Sequence, residues 1–144
     1  MTPAEMNRIL DEVFYPADLQ FPDLAVCNIV TRRVFRFLQD EAAVVDLGGL
    51  ANDQSARLAT SGGWREVAAE RAGALAAEGL WVVGTWLNPS GHGHSTLVRP
   101  AAVPVPWLMT CGEPGTAARA PWARSDAVHA RCRTPPRFFA RRRA

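Results

Sequence analysis

Leu80 to Arg99 reads LWVVGTWLNPSGHGHSTLVR, and this stretch decides the fold class. Leu80–Leu87 is rich in β-formers and too short for a helix. Asn88-Pro89-Ser90-Gly91 is turn chemistry, and His94–Arg99 (HSTLVR) can pair back as a second strand, ended by Pro100. An antiparallel hairpin is therefore expected here. Val103–Cys111 can add a third strand, which Pro104 and Pro106 confine to an edge.

Outward toward the N-terminus the period changes from two to about 3.6. Trp64, Val67, Ala68, Ala72, Leu75 and Ala76 form one apolar stripe, with Arg65, Glu66, Glu70 and Glu78 on other faces and Gly79 as a stop, so an amphipathic helix is expected directly before the hairpin. A second stripe, Val26, Ile29, Val30, Val34, Phe37 and Leu38, follows Asp23 in N-cap position. Asp46–Asn52 (DLGGLAN) reads as a glycine-bearing turn, and Asp53–Thr60 as a short helix ended by Ser61-Gly62-Gly63. Thr2, Pro3, Met6, Ile9, Leu10 and Val13 predict a first helix closed by Pro16. The expected class is α+β, with N-terminal helices packed on a small antiparallel sheet.

Composition sets bounds on function. The 144 residues are one domain's worth, 48% hydrophobic and 21% charged. No apolar run approaches the ~20 residues of a membrane helix, and MTPAEMNRIL lacks the layout of a signal peptide, so synthesis in the cytoplasm without a membrane span is expected, with any export non-classical. Cys27, Cys111 and Cys132 are too few for a disulfide framework and include no CxxC pair. Charge is uneven: residues 1–112 carry a net −4, whereas residues 113–144, with eight arginines against Glu113 and Asp126, carry +6. A domain over 1–112 and a basic, Arg/Pro-rich, largely irregular tail over 113–144 are expected, the tail either solvated or holding an anionic polymer. The acidic balance of residues 1–112 argues against a nucleic-acid-binding protein.

Two residues stand out chemically. Cys27 lies near the start of the helix following Asp23, where the dipole favours a thiolate; the same position also suits a small buried core residue. His94 opens the second hairpin strand after a glycine-rich turn, as a general base or as an ordinary capping residue. His92 and His94 form an HxH pair whose further soft ligand would be Cys27, but HExxH and clustered carboxylates are absent, and neither metal nor cofactor is expected. Trp64, Trp81 and Trp86 are core-spaced, although an indole lining a cleft can stack on a glycan or peptide. Asn52 suits a turn or a substrate-facing amide equally.

Taken in order, CNIVTRRVFRFL, LGGLAN, GGWREVAAERAGALAAEGLWVVGTW and NPSGHGHSTLVRP resemble the papain-like cysteine amidases of bacterial and phage cell-wall enzymes, the NlpC and CHAP relatives. In that group a Cys-Asn opens the main helix, an Ala-Asn sits in the following loop, and a Gly-His starts a strand ending in Val-x-Pro. Cys27-Asn28, Ala51-Asn52, and Gly93-His94 with Val98-Arg99-Pro100 match these over about residues 20 to 112. The resemblance implies a papain-like fold and amide hydrolysis in peptidoglycan peptides. It further implies Cys27 as nucleophile, His94 as base, and a third catalytic position near Thr110. Asn28, Asn52 and Trp86 become the substrate-facing set. Asp126 and His129 are the alternatives for the third position if the tail joins the core. A remnant or binding module of the same fold, without catalysis, is the other reading.

Overall fold

The computed structural model describes residues 1–14, 27–91, 93–100, 107–108 and 135–143. Helix α1 spans Pro3–Ile9. Thr2 caps it, its hydroxyl accepting from the Glu5 amide while the Glu5 carboxylate accepts from the Thr2 amide, a reciprocal capping box. A π-helical turn, Leu10–Phe14, follows. Then come α2 (Cys27–Phe37), α3 (Glu41–Asp46) and α4 (Ala51–Thr60), strand β1 (Trp64–Val67), helix α5 (Ala69–Ala77), and strands β2 (Val82–Trp86), β3 (His94–Arg99), β4 (Trp107–Leu108) and β5 (Arg137–Arg141).

The strands form an antiparallel sheet in the order β1-β5-β2-β3-β4. The expected hairpin is present as β2 and β3, with Val83 opposite Leu97 and Trp86 opposite His94. The edge strand expected beyond Pro100 is present over Trp107–Leu108. Among the described residues no helix is long and apolar enough to cross a membrane.

Both faces of the sheet are covered. On one, Met6, Cys27, Val34, Phe35, Ala43 and Leu58 from the first four helices, with Leu10 of the π-turn and Leu47 just after α3, pack against Trp64, Val83, Leu97 and Phe139. On the other, Ala72, Leu75 and Ala76 of α5 pack against Val82, Trp86, Val98, Phe138 and Ala140. Phe35 binds the larger face together: its ring meets Trp64 and Trp81 edge-on at centroid distances of 5.6 and 6.0 Å. Such pairs contribute about 0.5–1.5 kcal/mol beyond buried area.

Three expectations are corrected. First, the tail is not irregular throughout: Arg137–Arg141 lies between β1 and β2, Phe138, Phe139 and Ala140 are buried, and a boundary at 112/113 does not separate these residues from the folded unit. Alternation explains it, since Phe139 faces the first four helices while Phe138 and Ala140 face α5, so a five-residue strand supplies both cores. Second, the helix expected from Trp64 begins only at Ala69; Trp64–Val67 pairs in register with Phe138–Arg141, tertiary pairing overriding the helical stripe. Third, the inward stripe of α2 keeps Val34, and Leu38 just after the helix, from the expected set but is otherwise shifted. Cys27, Thr31, Val34 and Phe35 point inward, whereas Ile29 and Phe37 are 44% and 54% exposed. Asp23 and Val26 lie outside the described residues.

Candidate functional site

The start of α2, the start of α4 and the turn before β3 meet at a cavity of about 200 Å³, lined by Cys27, Asn28, Leu50, Ala51, Asn52, Gly91 and Gly93. Each wall has a local cause. Gly49, with φ 78°, lets the chain reverse into α4, where the Asp53 carboxylate accepts from the Leu50 amide at 2.9 Å. Asn28 Nδ2 donates to the Gly49 carbonyl at 3.0 Å, tying the head of α2 to that reversal. Gln54 is buried on α4, its Nε2 donating to the Leu47 and Asn28 carbonyls at 2.7 and 3.2 Å.

Asn52 holds the third wall. Its Nδ2 donates to the carbonyls of Asn88 and Gly91 at 2.9 and 3.0 Å, and its Oδ1 accepts from the Asn88 amide at 3.0 Å. Of the two roles open to it, the structure fills the turn-holding one, across 36 to 39 residues of sequence. Gly93 is required by the same contact, because a Cβ there would overlap the Asn52 carboxamide and the Trp86 carbonyl.

The expected site residues divide between the two faces of the sheet. Cys27 is 5% exposed and shares the cavity with Asn28 and Asn52. His94 is not among the lining residues. It stands opposite Trp86 in the ladder, ring centroids 5.2 Å apart, and Trp86 belongs to the core packed on α5. The β3 side chains that meet the other helices are the odd-numbered ones: Ser95 Oγ to Thr31 Oγ1 on α2 at 3.5 Å, Leu97 in the core with Cys27, and Arg99 reaching Asn7 and Asp11. In that alternation Gly93 comes to the Cys27 cavity and His94 turns to Trp86. His94 thus stands outside the set of residues that line the Cys27 cavity, and the ring of Trp86, expected on the substrate side, is buried at 2% exposure. The core reading of Trp64, Trp81 and Trp86 holds, all three being buried.

Thr110, Asp126, His129 and His92 lie outside the described residues, as do Cys111 and Cys132. Among the described residues no three of His, Cys, Asp or Glu converge as metal ligands. What sequence reasoning missed is the anchoring outside the cavity. Arg99 is fully buried, and Arg141 grips Asp40 through two nitrogens at 2.7 and 2.9 Å. Neither arginine had a sequence signal, because each partner lies about ninety or a hundred residues away.

No known family model matches the chain, and a search of curated proteins returns no match.

Proposed function

We propose that this is a papain-like domain acting on amide bonds of peptidoglycan peptides, with Cys27 as nucleophile. The observation that supports the reading is the seat of Cys27: a thiol at the first described residue of a helix, on the wall of a cavity that it shares with Asn28, Asn52, Leu50, Ala51 and two glycines. In the proposed reaction the Cys27 sulfur attacks the amide carbonyl and N–H groups at the start of α2 hold the oxyanion. The amine leaves with a proton delivered by the general acid, and water converts the thioester to a carboxylic acid and the free thiol.

The resemblance assigns that proton transfer to His94, with Thr110 as the third residue. The direction of His94, toward Trp86, favours a second reading in which the same fold binds peptidoglycan peptides without cutting them. One experiment separates the two. Purified peptidoglycan is incubated with the wild type and with Cys27→Ala, His94→Gln and His92→Gln, and released peptides and sedimenting protein are both measured. Release lost in Cys27→Ala and in His94→Gln supports the dyad. Release that survives His94→Gln but not His92→Gln moves the base to the other histidine. No release by any form, with sedimentation intact, supports the binding module. Release undiminished in Cys27→Ala overturns the nucleophile.

A further inference from the structure

The opposite end of the sheet carries a second cavity, about 390 Å³, which owes nothing to the Cys27 reading. It is lined by Arg65 of β1, Glu78 and Leu80 beyond α5, and Arg141, Arg142 and Arg143 at the end of β5. Arg141 is neutralised by Asp40. No carboxylate among the described residues pairs with Arg65, Arg142 or Arg143, and the single acid on the wall is Glu78.

These cations are positioned by the fold. The Arg142 amide donates to the Gly63 carbonyl at 2.9 Å, continuing the β5 pairing past Arg141. The Arg142 side chain then donates through Nε to the Trp64 carbonyl at 3.0 Å, and Arg143 through Nη2 to the Glu78 carbonyl at 3.1 Å. A guanidinium has five N–H donors, so each arginine is oriented through one nitrogen while others remain for a ligand. Part of the entropy cost of ordering two long side chains is thereby met before anything binds.

We propose that this cleft binds a phosphate-bearing anion. Several guanidinium groups around one cavity suit a tetrahedral group with three or more charged oxygens better than a planar carboxylate with two. An aromatic platform is missing from the described lining, Leu80 being its only apolar side chain, and Trp64 lies 2% exposed beneath Arg141. The cleft therefore reads charge and oxygen geometry, not the face of a nucleobase.

The test is calorimetric titration of the full-length protein with inorganic phosphate and with a short linear polyphosphate, at low and at moderate salt. The expected result is binding weakened about tenfold or more in the Arg142→Gln/Arg143→Gln double variant and severalfold in Arg65→Gln, tightened in Glu78→Gln, and weakened by salt. Polyphosphate binding far above that of inorganic phosphate assigns the site to a polymer, and equal affinity per phosphate assigns it to the free ion; either supports the proposal. Should the double variant fail to fold, Arg65→Gln decides, because that side chain is exposed and makes no hydrogen bond among the described residues. Affinity unchanged in Arg65→Gln and Glu78→Gln overturns the proposal, as does tighter binding of single-stranded RNA than of polyphosphate.

Discussion

Arg141 and Asp40 are 101 residues apart and joined by two hydrogen bonds, from Nη2 at 2.7 Å and Nε at 2.9 Å. The same carboxylate caps α3, accepting from the Ala43 amide at 3.1 Å, and the same guanidinium donates to the Gly63 carbonyl and lies 5.3 Å over Trp64. One ion pair thus ties the last strand to the entrance of a helix and to the first strand. β1 and β2 each pair with β5 and not with each other, so β5 is what joins β1 to the rest of the sheet.

Removal of β5 is therefore expected to abolish folding. A chain ending at residue 136 loses the interior strand that joins β1 to β2, with the buried Phe138, Phe139 and Ala140, and should show no cooperative thermal transition by circular dichroism. The single substitution Phe139→Ala should leave a folded protein about 3–5 kcal/mol less stable in urea unfolding, the usual cost of emptying a fully buried phenylalanine site. A truncated chain that melts cooperatively at the wild-type temperature would remove β5 from the core.

Two carboxylates make stability fall in acid. Hydrogen bonding from Arg141 holds Asp40 below the usual aspartate range against the opposing effect of burial, and hydrogen bonding from Arg137 does the same for Glu66. For a carboxylate whose folded pKa is depressed, the contribution to stability is fully present above the unfolded value, near 4, and is lost as pH falls through the folded value. Urea midpoints should be flat from neutrality to about pH 5 and drop below pH 4. In Asp40→Asn, which keeps a capping oxygen for Ala43, part of that acid slope should vanish, with a cost of about 1–2 kcal/mol at neutral pH.

Arg99 sets how firmly the N-terminal helix is held. Its fully buried side chain reaches Asn7 and Asp11, bridging β3 to α1 and the π-turn after it. Arg99→Ala removes those bonds and the packing of the aliphatic stem, and should cost about 2–4 kcal/mol. Amide hydrogen exchange in Pro3–Phe14 should accelerate more than exchange in β2 and β5. Uniform acceleration across the sheet would show that α1 and the sheet open together.

The parts of the fold legible in the sequence are those with local causes. The hairpin was legible because turn chemistry and β-formers adjoin, and α1 because Thr2, Pro3 and Glu5 form a self-contained start. β5 was hidden because RFFAR is one short apolar cluster among arginines, and its partners at Trp64–Val67 and Val82–Thr85 lie more than fifty residues away. Of the site, Cys27, Asn28 and Asn52 were legible as a constellation and do share a cavity. The direction of His94 was not, because strand alternation reverses with a shift of one residue, and no property of GHGHSTLVR states which parity meets α2.

Asn52 and Asn28 should part company under substitution, although motif matching treats them alike. Asn52 makes three hydrogen bonds to the Asn88–Gly91 turn, one of them to an amide and two to carbonyls, so Asn52→Ala leaves main-chain groups to find new partners. A cost of about 2–3 kcal/mol is expected, with increased proteolytic nicking at Asn88–Gly91. Asn28 is partly exposed and makes one side-chain bond, to the Gly49 carbonyl, which water replaces; Asn28→Ala should cost less than about 1 kcal/mol. Any loss of peptide release in Asn28→Ala at unchanged melting temperature then reports contact with the substrate, whereas loss in Asn52→Ala that tracks its stability reports the turn. If Asn52→Ala melts like the wild type, the clamp contributes nothing to stability, and its carboxamide returns to the substrate-facing set.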